Sequence, residues 1–146
     1  MNIDLIYRDK FRFDNEKQLF EKYKDRIKAL KKKKIFNNFK EVHCSNKKIN
    51  EILKNKKNSD LFISLDETGK TITSKEFSNL IFNNHFKKIV FFIGGTDGLT
   101  KQILNQSDQI LSLSKMTFTH SFAAIILLEQ IYRSATIKIN HPYHRN

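Results

Sequence analysis

The segment KKIVFFIGG at residues 87–95 decides the fold of this chain. Its five central residues, 89–93, are all apolar, and two glycines follow them directly. A strand with one face in water alternates apolar and polar side chains, whereas a continuous apolar run indicates a strand that is covered on both faces. Strands of that kind occur in parallel sheets, where helices pack on both sides. The segment therefore predicts a central strand of a parallel sheet.

The rest of the chain alternates between strand-like and helix-like patterns. We predict strands at residues 3–7, 35–44, 61–65, 89–93 and 109–113. We predict helices at residues 15–30, from a cap at 45 or 46 to about 55, from a capping box at 73 and 76 to about 84, at 99–106 and at 121–135. ETGK at residues 67–70 is interpreted as a turn in which Gly69 supplies backbone freedom. This alternation predicts an α/β fold with a mainly parallel sheet flanked by helices, and 146 residues suit a single domain.

The chain is strongly basic, with 27 Lys and Arg residues against 15 Asp and Glu residues and a net charge of +12. A positive field attracts polyanions, so nucleic acid is the first partner to consider. A skewed genome composition produces the same abundance of Lys, Asn, Ile and Phe. The lysine runs at residues 31–34 and 54–57 are either solvated surface or phosphate contacts, and the sequence leaves both interpretations open.

Cysteine content and hydropathy indicate the compartment. The single cysteine, Cys44, excludes a disulfide framework or a CxxC metal pair within one chain. The first residues lack the apolar core of a signal peptide, and the longest apolar run, residues 122–128, is too short to cross a bilayer. We therefore expect a cytoplasmic protein with no membrane partner.

Two segments are candidates for a ligand site. FFIGGTDG at residues 91–98 ends a strand in glycines, and ligands of open α/β sheets bind beyond the carboxyl ends of strands. Gly94 and Gly95 lack Cβ atoms, so a ligand could approach their backbone closely. LSLSKMTFTH at residues 111–120 offers backbone groups and apolar side chains at the next strand end. The alternatives are a tight turn without a ligand and an ordinary strand-to-helix connection.

The final segments carry the remaining candidates. SFAAIILLEQIYRSA at residues 121–135 is apolar nearly all round, which predicts burial in the core or in a subunit interface, with Glu129 and Arg133 as an ion pair. The tail, INHPYHRN at residues 139–146, has two histidines but no third ligand for a metal. Tyr143, His144 and Arg145 are a plausible RNA-contacting set, and a flexible tail is the alternative.

From about residue 61 onward the chain resembles the RlmH family of small SPOUT-class methyltransferases. The resemblance rests on ISLDETGK, FFIGGTDGL, LSLSKMTFTH, LLEQIYRSATI and NHPYHRN, in that order and at the family's spacing. It implies one SPOUT domain over residues 1–146, with a C-terminal trefoil knot over about residues 61–146. The family acts as a homodimer and uses S-adenosylmethionine to methylate N3 of a pseudouridine in helix 69 of large-subunit ribosomal RNA, within the assembled ribosome.

The resemblance also implies which residues form the site, and no metal among its ligands. The family's cofactor positions fall on Leu65, Gly94, Leu113, Ser114, Lys115, Met116, Thr117 and Phe118. In the tail, which the knot is expected to hold near the cofactor, His144 is the candidate proton acceptor. Tyr143 would position the target base, and Arg145 would bind phosphate or developing negative charge.

The chain departs from the family pattern at a few positions. Thr119 replaces a usual proline, Ala124 replaces a common arginine, and YRDK at residues 7–10 replaces a glycine-lysine turn. These departures keep two alternatives open: a non-catalytic basic RNA- or ribosome-binding module of the same fold, and a SPOUT methyltransferase that acts on another RNA, such as transfer RNA. The apolar helix, with Phe122, Ile126 and Ile131, is the expected dimer face.

Overall fold

The structure is a computed structural model, and it describes residues 1–144. Five strands form one sheet in the order β2-β1-β4-β3-β5, and all four strand pairings are parallel. The strands are β1 (Asn2–Tyr7), β2 (Asn38–His43), β3 (Asp60–Thr71), β4 (Lys88–Ile93) and β5 (Gln109–Ser112). The predicted parallel α/β architecture is therefore confirmed.

The helices between the strands are α1 (Asp14–Ala29), α2 (Asn46–Lys54), α3 (Ser74–Phe82), α4 (Lys101–Gln106) and α5 (His120–Lys138), with a 3₁₀ turn at Leu30–Lys33 after α1. Hydroxyl caps begin four of them, at Ser45, Thr73, Thr100 and Thr119. The predicted capping box between Thr73 and Glu76 is present in both directions. The last helix continues to Lys138, three residues beyond its predicted end.

The core lies on both faces of the sheet, as the apolar run at β4 predicts. Phe91 contributes to a cluster under α1, α3 and α5, whereas Phe92 contributes to a smaller cluster under α2 and α4. Successive side chains of a strand point to opposite faces, so a run that is buried on both faces has to be continuously apolar. The described chain is thus three layers, with the sheet in the middle.

The prediction for residues 67–70 is wrong, because these residues continue β3 instead of forming a turn. β3 shifts its register against β5 between Leu65 and Lys70 and then pairs with it again. The backbone of Gly69 is not in the left-handed region. A Cβ atom there would lie 2.6 Å from the Leu111 carbonyl carbon, so Gly69 is required by the close approach of two strands.

None of the helices within residues 1–144 is long and apolar enough to cross a bilayer. The passage of the chain through a knotted loop stays a prediction, because strand order and pairing do not determine it.

Candidate functional site

The main cavity lies at the carboxyl edge of the sheet and has a volume of about 390 Å³. Its walls come from the middle of β3, the loop after β4, the loop after β5 and the first turn of α5. Ligands of open α/β sheets bind at this edge, and small-molecule cavities typically have volumes of roughly 300–1,000 Å³. The cavity therefore has the place and the size of a small-molecule site.

Most residues that the sequence proposes for the cofactor come together in this cavity. Seven of the eight line it: Leu65, Gly94, Leu113, Ser114, Met116, Thr117 and Phe118. The eighth, Lys115, is exposed and is not part of the lining. The side chain of Met116 is 74% exposed and that of Phe118 is 40% exposed, which is unusual for large apolar groups. These two side chains provide apolar surface for a ligand or a partner at the mouth of the cavity.

The glycine loop after β4 has a structural reason that the sequence argument did not give. A Cβ atom on Gly94 would lie 2.4 Å from the carbonyl carbon of Gly98 and 2.7 Å from the Leu99 nitrogen. Gly98 has φ +72° and donates its N–H to the Gly95 carbonyl at 2.9 Å. The loop thus folds back tightly on itself, and Gly94 leaves room for its own chain at the cavity wall.

Side chains fix the loop after β5 against β3. Ser112 donates its hydroxyl to the Ser114 carbonyl at 2.6 Å, and the Met116 N–H donates to the Ser114 hydroxyl at 3.0 Å. Thr117 donates its hydroxyl to the Glu67 carboxylate at 2.8 Å. The bond between Thr117 and Glu67 joins two cavity walls that are 50 residues apart in sequence. Hydrogen bonds of this kind pre-organise a ligand site.

The charge of the cavity is opposite to the charge of the chain. Asp66, Glu67 and Asp97 line the cavity, and its described lining contains neither Lys nor Arg. In a chain of net charge +12, this is a local negative environment. It favours a cationic small molecule and disfavours a phosphate group. Sequence reasoning did not single out these three carboxylates, although two of them border the glycine loop and the strand end that it did select.

Asp9, in the loop after β1, is a further site residue that sequence reasoning missed. Its carboxylate accepts the Thr96 N–H at 2.9 Å and the Thr96 hydroxyl at 3.1 Å, and it lies 4.0 Å from Nδ1 of His120. A Cβ atom on Gly95 would collide with this carboxylate. The N–H and hydroxyl of Thr96, followed by His120 and Arg8, hold the pKa of Asp9 below its usual value. Asp9 therefore fixes the glycine loop beside the first turn of α5.

We expect the Asp9→Asn variant to lose its stability difference from the parent protein in acid. The native pKa of Asp9 is lowered, so its carboxylate stabilises the fold above the unfolded pKa, and this contribution is lost as the pH falls through the native pKa. Urea unfolding at pH 7 should show Asp9→Asn to be less stable by about 1 kcal/mol, the usual scale for a hydrogen bond. The difference should shrink as the pH falls below about 3.9, the ordinary Asp pKa. A difference that grows in acid would contradict the assignment.

The tail is anchored on α5 and α1. The Tyr143 hydroxyl donates to the Glu129 carboxylate at 3.0 Å and lies 3.4 Å from the Tyr23 hydroxyl. The Tyr143 ring meets Tyr132 edge-on at 5.0 Å and lies under the Arg133 guanidinium at 5.0 Å. Burial, followed by the Tyr23 hydroxyl and the Glu129 charge, raises the pKa of Tyr143 far above its usual value. The phenol therefore stays protonated and acts as a donor that holds the tail.

The predicted ion pair between Glu129 and Arg133 is confirmed, with Nε of Arg133 3.0 Å from Oε1 of Glu129. Its function is now clearer, because the same carboxylate oxygen also accepts the Tyr143 hydroxyl. The pair satisfies a half-buried carboxylate inside an apolar helix and gives the tail a polar attachment point.

Within one copy of the chain the tail and the cavity are separated. Ala123 is the last residue of α5 that lines the cavity, whereas Tyr143 bonds to Glu129 and the His141 N–H bonds to the Thr136 carbonyl. At 1.5 Å per helical residue, these attachment points lie roughly 9 Å and 20 Å further along the helix. No described tail residue lines the cavity. The expectation that the tail closes on the cofactor therefore cannot apply within the single described chain.

His144 and Arg145 complete the predicted tail set. Both ring nitrogens of His144 are inaccessible to water and have no hydrogen-bond partner among residues 1–144. A buried polar atom of this kind requires an explanation, such as a partner from another molecule. Arg145 lies outside the described residues.

We expect Tyr143→Phe to loosen the tail without disturbing the cavity. The substitution removes the hydrogen bond to Glu129 but keeps the aromatic contact with Tyr132. The unfolding free energy should fall by about 1 kcal/mol. Cofactor affinity by calorimetry should stay within twofold of the parent, while any activity that depends on the tail falls. A large loss of cofactor affinity would show that the anchor supports the cavity itself.

The predicted dimer face on α5 needs a correction. Ile131 is 0% exposed and belongs to the core of the single chain, so it cannot contact a second copy. Phe122 is 48% exposed and Ile126 is half-buried, which leaves these two available for an interface. The helix has no polar face in its sequence because most of its apolar residues pack inward against the sheet, α1 and α3.

No group of three or more His, Cys, Asp or Glu side chains in the described part of the chain is arranged to hold a metal ion.

Comparisons with known proteins agree with this geometry. A family model described as "Predicted SPOUT methyltransferase" matches residues 1–144. The chain is 50% identical over 96 residues to ribosomal RNA large subunit methyltransferase H of Dictyoglomus thermophilum, over 64% of this chain and 63% of that protein. It is 49% identical over 89 residues to the protein of the same name from Prochlorococcus marinus strain MIT 9215, over 61% of this chain and 64% of that protein. The matched part thus spans less than two thirds of these curated relatives.

Two solved structures share the fold at low sequence identity. Ribosomal RNA small subunit methyltransferase E from Neisseria gonorrhoeae, bound to S-adenosyl methionine, matches with a TM-score of 0.58 and 13% identity over 91% of this chain and 66% of that chain. A probable methylase family protein from Haemophilus influenzae Rd KW20 matches with a TM-score of 0.61 and 12% identity over 99% of this chain and 70% of that chain.

Proposed function

The chain belongs to the SPOUT methyltransferase family, and from this premise we propose that it methylates large-subunit ribosomal RNA with S-adenosylmethionine as the methyl donor. The observation that carries the proposal is the negatively lined cavity at the carboxyl edge of the sheet, beside the glycine loop. A methyl donor of this kind supplies a methyl group on a positively charged sulfonium. The carboxylates of Asp66, Glu67 and Asp97 suit that charge, and the volume of about 390 Å³ suits a molecule of that class.

The residues that would hold the donor are those of the two pre-organised loops. Gly94 and Leu65 form one wall, and the segment from Leu113 to Phe118 forms the other. Lys115 is exposed at the rim, so its proposed part is limited to contacts outside the cavity. Methyl transfer requires alignment of the acceptor nitrogen with the methyl group, and rigid walls provide this alignment.

The substrate follows from the relatives and from the resemblance. The curated relatives carry the name ribosomal RNA large subunit methyltransferase H. The NHPYHR motif of that family at residues 140–145 supports the finer proposal, which is N3 of a pseudouridine in helix 69 within the assembled ribosome. A ribosomal substrate implies a cytoplasmic enzyme.

The tail residues are proposed to act on the acceptor. N3 of pseudouridine carries a proton that has to leave, and His144 is the candidate to accept it. Tyr143 positions this histidine by holding the tail on Glu129. Arg145 is proposed to bind phosphate or to stabilise negative charge on the base.

A second copy of the chain is required to bring the tail to the cavity. Within one copy the attachment points of the tail lie roughly 9–20 Å along α5 from the cavity wall. Met116, Phe118 and Phe122 expose apolar surface at the cavity mouth and on the first turn of α5. In a symmetric dimer the same patch is used twice, so each tail can complete the cavity of the other copy. We therefore propose a homodimer with two composite sites.

The proposal is tested by transfer of labelled methyl from S-adenosylmethionine. The acceptors are intact ribosomes, free large subunits and naked ribosomal RNA from a strain that lacks the modification, offered side by side. Label that appears mainly in intact ribosomes supports the proposal, and the labelled nucleotide can then be mapped. Label in transfer RNA instead, or cofactor binding without transfer to any acceptor, would favour enzymes of other RNA specificity or a non-catalytic binding module.

A further inference from the structure

The edge of the sheet opposite the cavity is made by the beginnings of four neighbouring strands. Asn38, Asn2, Lys88 and Asp60 stand side by side in register across β2, β1, β4 and β3. Helices of a parallel α/β fold run against the strands, so α1, α2, α3 and α5 end at this same edge. Segments that are far apart in sequence are thus brought to one face of the molecule.

These segments carry most of the lysine runs, including the run that the proposed function leaves unexplained. We call the face the lysine edge. Its exposed lysines are Lys28, Lys31, Lys32, Lys33, Lys34, Lys54, Lys57, Lys87 and Lys138. None of them forms an ion pair among residues 1–144.

The carboxylates at the strand beginnings do not neutralise this edge. Asp4 and Asp60 both face Lys88, at 3.6 Å and 3.4 Å. Lys88 is therefore compensated, while the exposed lysines around it are not. Unpaired cations in this density repel one another, and a bound polyanion relieves the repulsion.

A second cavity, of about 250 Å³, lies within the lysine edge between α1 and β2. Lys28 and Lys31 are exposed at its rim, and Ile27, Phe36 and Phe39 are buried beneath it. Phosphates with apolar base faces between them are the chemistry of RNA that contains unpaired nucleotides. An acidic protein segment would match the lysines but not the apolar floor.

The charge of the two edges is opposed, which assigns them different partners. The cavity at the carboxyl edge is lined by carboxylates and disfavours phosphate, whereas the lysine edge attracts it. We propose that the lysine edge is a docking surface for the phosphate backbone of RNA, separate from the site of methyl transfer. This inference rests on the proposed function only in taking RNA as the substrate.

The position of the tail connects the two surfaces. α5 ends at the lysine edge, and the His141 N–H bonds to the Thr136 carbonyl close to that end. A dimer that carries the tail of one copy to the cavity of the other therefore carries the lysine edge in the same direction. RNA held by one copy is then presented to the cavity of its partner.

The test compares two variants that each remove three positive charges. The first, Lys31→Gln with Lys32→Gln and Lys33→Gln, changes the lysine edge. The matched control, Lys17→Gln with Lys75→Gln and Lys101→Gln, changes exposed lysines in the first turns of α1, α3 and α4, at the opposite edge. The probe is a fluorescein-labelled single-stranded RNA, whose binding is followed by anisotropy over a range of salt concentrations.

We expect the lysine-edge variant to bind RNA on the order of tenfold more weakly at low salt. Each lost phosphate contact lowers the slope of log affinity against log salt by roughly 0.7 for a single strand, so the slope should fall by about two. The control should stay within twofold of the parent. Equal weakening of both variants would show that only net charge matters, and greater weakening of the control would place RNA at the cavity edge; either result overturns the proposal.

Further measurements separate this inference from the proposed function. A labelled polyglutamate peptide that binds the parent as tightly as RNA would overturn the assignment to RNA. Calorimetry with S-adenosylmethionine should give the same affinity for both variants, and circular dichroism should show both folded. Methyl transfer to ribosomes with an unchanged KM in the lysine-edge variant would overturn the inference alone, whereas RNA docking without methyl transfer would overturn the proposed function alone.

Discussion

Removal of residues 141–146 is expected to abolish methyl transfer while leaving the affinity for S-adenosylmethionine within twofold. The cut removes Tyr143 and His144 but no residue that lines the cavity. Loss of a proton acceptor typically costs roughly 10²–10⁴-fold in rate, and loss of positioning adds to this cost. Single-turnover methyl transfer to ribosomes and calorimetry with the cofactor measure the two expectations separately.

The truncated protein should stay folded, because the tail contributes only peripheral contacts. It loses the Tyr143 contacts with Glu129 and Tyr132, whereas the sheet and its two apolar clusters are untouched. Size-exclusion chromatography shows whether the variant still self-associates like the parent. Full activity of a folded, truncated protein would remove the tail from the reaction.

Gly94→Ala is expected to weaken S-adenosylmethionine binding on the order of a hundredfold, because a displacement of about 1 Å in a pre-organised site has effects of that size. The added Cβ would lie 2.4–2.7 Å from three backbone atoms of Gly98 and Leu99, so the loop has to move. The moved loop forms a wall of the cavity. Calorimetry measures the affinity, and thermal unfolding measures the cost to the fold.

Gly95→Ala is the matched control in the same loop. Its Cβ would meet only the carboxylate of Asp9, which ends a side chain and can rotate away. We expect a loss of less than about tenfold in cofactor affinity, since only the bonds between Asp9 and Thr96 are disturbed. Equal losses in the two variants would mean that the tight turn at Gly94 is not what shapes the cavity.

The fold was predictable because its main signals are local. The apolar run of β4 requires cover on both faces, and the hydroxyl caps at Ser45, Thr73 and Thr119 mark helix starts by a mechanism that acts within one turn. The error at residues 67–70 has a non-local cause. Gly69 resembles a turn residue in sequence, but the pairing of two strands decides its role.

The cofactor cavity was partly predictable, since strand ends in a parallel sheet meet at one edge. Gly94 and Leu113 were selected on that ground, and both line the cavity. Asp9 was not selected, because nothing in its neighbourhood shows that its carboxylate reaches Thr96, which is 87 residues away in sequence. Contacts of that range require the tertiary structure.

The tail shows the opposite limit. Its residues were singled out for their chemistry, yet their position relative to the cavity depends on where α5 ends and on the anchor at Glu129. The same geometry that separates the tail from the cavity in one copy makes a second copy necessary for the proposed reaction.

The most direct test of this account is complementation between two inactive variants. Gly94→Ala copies keep the tail, and copies cut after Asn140 keep the cavity. If each site combines the cavity of one copy with the tail of another, random mixing in a two-fold dimer should restore about one quarter of parental methyl transfer to ribosomes. No recovery after verified subunit exchange would contradict the composite site and return the whole reaction to a single chain.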